Sequence, residues 1–365
     1  MKKNNVNITG IKVKSGVSNV TSTKKNITNK PIKNRRKDIN IKSLHENITK
    51  GDRTSLSIGI TLIESQNELD RKLSNELINK CLSQKQKQTL RVGITGVPGV
   101  GKSTFIESLG NKIANNGQKI AVLAIDPSSK ISNGSILGDK TRMTKLVKQD
   151  NAFIRPSANR TNLGGVGQYT REAIILCEAA GYEIIFIETV GVGQNEISVS
   201  EMVDFVLLLK LPGAGDGLQG IKRGVIEMAD AIIINKADGD NKIAAKIALN
   251  DFKNALHFYK EKESLWQPKV LLCSSTNETG IEQAWNIIKS HQNKTLSNGY
   301  FKKNRAEQNS FWMMKSIENQ LKNSFFEDKK IQSAIKQQMK LVKNNKISPF
   351  RGAKFLVDLY KSSLY

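Results

Sequence analysis

Between about residues 90 and 290, short apolar runs alternate with amphipathic stretches. The runs are LRVGIT (90–95), KIAVLAI (119–125), EIIFIET (183–189), FVLLLKL (205–211), AIIIN (231–235) and KVLLCSS (269–275). They are almost continuous in Ile, Val and Leu, as strands covered on both faces are. The stretches between them carry helical spacing. In KSTFIESLGNKIANNG, Phe105, Ile106, Leu109 and Ile113 share one face, and Gly117 can end the helix. Strands alternating with helices predict an α/β fold with a doubly wound, mainly parallel sheet.

The flanks read differently. IKSLHENITKGDRTSLSIGITLIES and DRKLSNELINKCL have helical periodicity, which predicts a helical extension over 41–88 before a central domain of 89–292. Beyond 293 the chain is helical and strongly charged. Trp312, Ile317, Leu321 and Phe325 form one stripe, and Ile331, Ile335 and Met339 another. NNKISPF breaks the pattern before a last short helix, RGAKFLVDLY. No internal repeat is visible.

Composition changes this picture only at the N-terminus. The 365 residues carry a formal charge of +24, and residues 1–37 hold eleven Lys/Arg and no Asp/Glu. Residues 1–40 are poor in aromatics, so they read as a solvated basic tail. A nucleic-acid arm and a transit peptide are the alternatives; the tail is Lys-rich rather than Arg-rich and has no amphipathic period. No apolar run approaches the length of a membrane span, and no secretory leader is visible. Cys81, Cys177 and Cys273 are too far apart for a disulfide framework or a CxxC metal site, which fits a reducing, cytoplasmic setting.

GITGVPGVGKSTF supplies the first chemistry. Gly96, Val97, Pro98, Gly99, Val100, Gly101, Lys102 and Ser103 fit the phosphate-binding pattern G-x-x-x-x-G-K-[ST] between a strand and a helix, and Thr104 completes the expected nucleotide-binding loop. Glycines let backbone N–H groups face the phosphates, the lysine reaches the β and γ groups, and the serine hydroxyl ligates Mg²⁺. IIINKAD then places Asn235, Lys236 and Asp238 at a strand end. A carboxylate there can accept from N1–H and the 2-amino group of guanine, a donor pair adenine lacks. Ser274, Ser275 and Thr276, in SSTNETG, follow a later strand where backbone amides can reach the guanine O6.

Asp126 and Glu188 end two strands, the position where carboxylates line the ligand crevice of an open α/β sheet. Asp139 is a further carboxylate on the loop after Asp126, and with Ser103 these form the expected Mg²⁺ set. Gly191, in ETVGVGQ, can offer its amide to the γ-phosphate, and Gln194 can orient water. The expected catalytic set is Lys102, Glu188 and Gln194, with no general base required because phosphoryl transfer depends mostly on positioning and charge neutralisation.

PGAGDGLQGIK, with Asp216, Gln219 and Lys222, is not demanded by nucleotide binding. Together with GVPGVGKSTF, DPSS, GSILGDKTRM, REAIILCEAAGY, ETVGVGQNE and NKAD, it makes the chain resemble the MeaB/ArgK/MMAA family of GTPases over all but the first forty residues. The resemblance implies GTP/GDP and Mg²⁺ as ligands and slow GTP hydrolysis. It also implies a cobalamin-dependent partner, methylmalonyl-CoA mutase or a related acyl-CoA mutase, whose cofactor loading is gated and which is protected from inactivation. It implies that residues 293–365 form a dimerisation arm, and that Asp216, Gln219 and Lys222 belong to a switch segment that signals to the mutase. In a eukaryote it implies the mitochondrial matrix.

Three other readings compete. A metal-delivery GTPase needs a Cys/His cluster, and His45, His257 and His291 stand beside no cysteine. A P-loop kinase, the arginine/ornithine-transport assignment given to some relatives, has no reason to keep NKAD. A nucleic-acid module would show aromatic–basic motifs, and none is present.

Overall fold

A computed structural model describes residues 39–65, 67–84, 88–126, 143–158, 163–189, 199–213 and 223–363. Asn40–Tyr365 forms one compact unit. It begins with three helices, α1 (Ile41–Thr49), α2 (Arg53–Ile63) and α3 (Glu68–Leu82). Each starts where a side chain accepts from an otherwise unpaired N–H: Asn40 from Ser43, Asp52 from Ser55 and Asn67 from Leu69.

The chain then enters β1 (Leu90–Gly96), followed by α4 (Lys102–Asn115), β2 (Ile120–Asp126), β3 (Ala152–Ala158) and α5 (Leu163–Ala179). Next come β4 (Ile184–Thr189), β5 (Phe205–Lys210), α6 (Arg223–Met228), β6 (Ala231–Ile234), α7 (Lys242–Leu256) and β7 (Lys269–Leu272). Four helices finish the chain: α8 (Ile281–Ser297), α9 (Tyr300–Glu327), α10 (Lys329–Lys343) and α11 (Pro349–Ser362).

The seven strands form one parallel sheet in the order β3-β2-β4-β1-β5-β6-β7. β1 is central. The chain winds to one side through β2 and β3, returns at β4, and then runs out through β5, β6 and β7. The crevice at the carboxyl end of β1 is therefore where a sheet of this kind takes its ligand. On one face, Phe105, Ile106, Leu109 and Ile113 of α4 and Trp285 and Ile288 of α8 pack over Val92, Ile94, Phe186 and Leu207. Beyond the other face, Gly59 of α2 lies against Leu176 of α5, Ile48 and Leu77, which seats the first three helices on the body. Among the described residues, no helix is long and apolar enough to cross a membrane.

The apolar runs predict six strands; the structure adds a seventh, β3. Its run, AFIRPSA, is broken by Arg155 and Pro156. β3 occupies an edge, where a proline costs no ladder hydrogen bond on its open side. Arg155 reaches out to Glu64 at 2.6 Å, beside the end of α2. The last strand also ends early, at Leu272, because Cys273–Ser275 turn into the loop that precedes α8.

Candidate functional site

The loop between β1 and α4 is built around Gly101, the residue before the helix. It has φ 94°, a left-handed backbone. A Cβ there would also sit 2.7 Å from Asn235 Nδ2, so glycine is required on both counts. Lys102 opens α4 and is buried. Its Nζ donates to the carbonyls of Gly96 (2.8 Å) and Val97 (3.2 Å), so the ammonium is folded back across the loop's own backbone. Ser103 Oγ donates to Glu188 Oε1 at 2.9 Å. Beneath this pair, Thr189 Oγ1 donates to Thr95 Oγ1 at 3.0 Å, tying the ends of β4 and β1.

The second half of the site hangs from β6 and β7. Asn235 is buried, and its Nδ2 donates to the carbonyl of Val100 at 2.8 Å. Its Oδ1 accepts from Ser275 Oγ at 2.8 Å and Ser275 N at 3.3 Å. Ser108 of α4 donates to the Ser275 carbonyl at 2.8 Å. The NKAD turn is held to the SST turn by Ala237 N, which donates to Cys273 O at 3.0 Å. Ser274 Oγ donates to Asp238 Oδ2, and Asn277 N donates to Ser274 Oγ at 3.2 Å. Lys236 takes a left-handed φ of 58° to make the turn, and its side chain is exposed, as is Thr276. Cys273 is buried here, and burial pushes its thiol up to about 12, which leaves it an inert spacer.

The structure thus gathers Gly96–Thr104, Glu188, Asn235, Asp238, Ser274 and Ser275 at one end of the sheet. Asp126 ends β2 one residue beyond the Ile125–Thr189 pair, and its side chain lies outside the description. Asp139, Gly191, Gln194, Asp216, Gln219 and Lys222 lie outside the described residues. Nothing in the sequence marks Ser108 or the Thr95–Thr189 pair, because a serine on a helix and two strand-end threonines carry no motif. The sequence pattern places Ser275 near the base, and the structure adds its hydroxyl bond to Asn235.

Among the described residues, no group of three His, Cys, Asp or Glu side chains could hold a metal by itself. Among the described residues, Cys81, Cys177 and Cys273 are buried and none forms a disulfide. The hydroxyl and carboxylate brought together at Ser103 and Glu188 are hard oxygen donors, and they fit Mg²⁺, which is commonly shared between a few protein oxygens, phosphates and water.

The family model described as methylmalonyl-CoA mutase-associated GTPase MeaB matches residues 56–330. The chain is 41% identical to the GTPase ArgK of Escherichia coli, over 90% of this chain and 99% of that protein. It is 41% identical to the mitochondrial methylmalonic aciduria type A homolog of Mus musculus, over 87% of this chain and 79% of that protein. Among solved structures, one described as a LAO/AO transport system kinase matches with a TM-score of 0.71 and 35% identity, covering 88% of this chain and 99% of that one. With the strand–loop–helix at Gly96–Ser103 and the turn at Asn235–Asp238 in place, these matches put the chain in the MeaB family of P-loop GTPases.

Proposed function

We propose that this GTPase is a nucleotide-gated chaperone of methylmalonyl-CoA mutase or a close acyl-CoA mutase, controlling adenosylcobalamin loading and protecting the enzyme from inactivation. The observation that carries the partner is the family match over residues 56–330, supported by the 41% identity to the mouse methylmalonic aciduria type A homolog. In this reading the Gly96–Thr104 loop cradles the phosphates of GTP, and Lys102 swings from the Gly96 and Val97 carbonyls to the β and γ groups. Asp238 accepts from the guanine edge, with the Ser274–Thr276 amides at O6. Ser103, Asp126, Asp139 and Glu188 would hold Mg²⁺, which supplies neutralisation of phosphate charge. Gln194 orients water, and Asp216, Gln219 and Lys222 relay the nucleotide state to the mutase. The setting is the cytoplasm, or the mitochondrial matrix in a eukaryotic cell.

The C-terminal helices supply a homodimer contact. Phe311, Met313, Met314, Ile317 and Leu321 of α9 are exposed, an apolar surface that a second copy would cover.

The test is phosphate release from GTP by the purified chain, with and without its cognate mutase. Stimulation by the mutase, together with co-elution of the two proteins on a GTP analogue, is the expected result. No complex in any nucleotide state would remove the partner and leave the GTPase. The kinase description of the structural relative marks the one alternative worth a parallel measurement. With γ-labelled GTP, label appearing on a protein or small acceptor instead of as free phosphate would favour it.

A further inference from the structure

The connector Val199–Asp204 joins the 190–198 stretch, which carries Gly191 and Gln194, to β5. Within it, Met202 N donates to Val199 O at 3.0 Å, and α9 side chains take up the carbonyls of Ser200, Glu201 and Val203. Gln308 Nε2 donates to Val203 O at 2.7 Å and approaches Ser200 O at 3.4 Å. Trp312 Nε1 donates to Glu201 O at 2.7 Å. One turn earlier, Arg305 grips Asp204 with Nε on Oδ1 at 2.8 Å and Nη2 on Oδ2 at 2.6 Å. Positions 305, 308 and 312 fall on one face of the helix, so a single helix edge grips the connector along its length.

The connector is also packed from its other sides. Val199 and Val203 lie on Gly93 of β1, three residues before Gly96; a Cβ on Gly93 would come within 2.7 Å of Val199. Ser200 Oγ lies 3.2 Å from Met228 Sδ, at the end of the helix that follows the 214–222 stretch. The Trp312 ring fills the space left by Gly167 of α5, where a Cβ would stand 2.2 Å from Cη2. The central strand, α6 and α9 all meet on these six residues, and α5 backs the Trp312 ring that reaches them. Packing alone would require only apolar contact. Here a buried amide, Gln308, and a half-buried indole, Trp312, are aimed at backbone carbonyls, and their geometry tolerates little displacement.

We propose that Gln308 and Trp312 are positioning residues for GTP hydrolysis. By holding the Ser200, Glu201 and Val203 carbonyls, they fix the point at which the stretch bearing Gly191 and Gln194 rejoins the fold. The proposal rests on reading that stretch as part of the hydrolytic site. It makes α9 a component of the hydrolytic machinery as well as a surface for a second copy. Neither residue touches nucleotide, so their loss acts on the rate of the chemical step and spares binding.

The experiment compares Gln308→Leu and Trp312→Phe with wild type in single-turnover and steady-state GTP hydrolysis, alongside GDP affinity and Tm. The expected result is a kcat lowered about tenfold, the effect of roughly one lost buried hydrogen bond on a positioned group, with KM and GDP affinity within about twofold. A lowered Tm with unchanged kcat in both variants would reduce the contacts to packing and overturn the proposal. If either variant fails to fold, hydrogen exchange on the wild-type chain decides. Amides of 199–204 and of 305–312 should change protection together between the GDP and non-hydrolysable GTP-analogue states, and invariance of α9 would overturn the proposal. A wild-type chain that releases no phosphate from GTP would instead overturn the GTPase reading, and the exchange comparison would still decide the coupling.

Discussion

Asn235 Nδ2 donates to the carbonyl oxygen of Val100 at 2.8 Å, so the turn expected to read the base and the loop expected to hold the phosphates share a hydrogen bond across 135 residues of sequence. The other end of the same amide accepts from the hydroxyl and the N–H of Ser275. One buried side chain therefore sets the spacing between three loops that must contact one ligand at once.

Asn235→Ala removes all of these bonds and leaves the Val100 carbonyl buried without its donor. We expect a stability loss of about 2–4 kcal/mol and a fall of about 10–100-fold in affinity for GTP and GDP alike. Urea denaturation and titration with fluorescent nucleotides measure the two effects. A loss confined to GTP would contradict this account, because Asn235 bonds to the loop backbone and discriminates no phosphate.

Asp238 tests base selection separately. Its carboxylate is positioned by Ser274 Oγ at the mouth of the SST turn. In Asp238→Asn, the carboxylate becomes an amide with one acceptor and one donor. Guanine presents two donors on that edge, and xanthine presents N1–H beside a carbonyl, so the preference should move from GTP to XTP. GTP affinity should drop about 100-fold or more. Competition between the two nucleotides checks it, and an unchanged preference for GTP would place guanine recognition elsewhere.

These loops were legible in the sequence because their chemistry is local. Gly96–Ser103 and Asn235–Asp238 are short runs whose spacing is fixed by one turn of backbone. The apolar strands were legible for a similar reason: strands covered on both faces, such as IIFIET and FVLLLK, leave few polar residues to blur the pattern. β3 was not, because an edge strand admits Arg155 and Pro156. The contacts of α9 were out of reach for a different reason. Trp312 read as one member of an apolar stripe, yet its indole N–H bonds Glu201 O, 111 residues away, and Arg305 reaches Thr89 O across 216. Helical periodicity says which face is buried and nothing about what it is buried against.

The base of β1 carries a buried ion network that joins these distant pieces. Glu178 of α5 accepts from Arg91 Nε at 2.7 Å and Nη2 at 2.9 Å, and from Thr89 Oγ1 at 2.6 Å. Asp204 accepts from Arg91 N at 2.8 Å as well as from Arg305. Removing one charge strands the other in a site with almost no solvent. Arg91→Met and Glu178→Leu should each cost about 3–5 kcal/mol alone, whereas the two combined should recover much of that loss. The midpoints of urea unfolding of the single and double variants measure it. A double variant as unstable as the sum of the two singles would show that the pair does not act as a unit.

His291 of α8 gives the fold a pH dependence of predictable sign. The imidazole is 2% exposed, edge-on to Phe205 with centroids 5.0 Å apart and to Trp266 at 5.2 Å. Its Nδ1 finds no hydrogen-bond partner among the described residues. Burial lowers its pKa below the ordinary 6.5, with Asp230 offsetting part of the effect. The folded protein therefore keeps the ring neutral at pH values where the unfolded chain has already taken up a proton. Its contribution is fully present above about pH 6.5 and is lost as pH falls from there towards the folded-state value, by at most about 1.4 kcal/mol per pH unit. His291→Asn removes the titration. Its stability should be lower than wild type at pH 7.5, and it should change less between pH 6.5 and 5.5, where the carboxylates common to both proteins contribute equally. If urea midpoints of wild type and variant fall in parallel over that interval, the acid sensitivity belongs to other groups, and the ring is simply packed between Phe205 and Trp266.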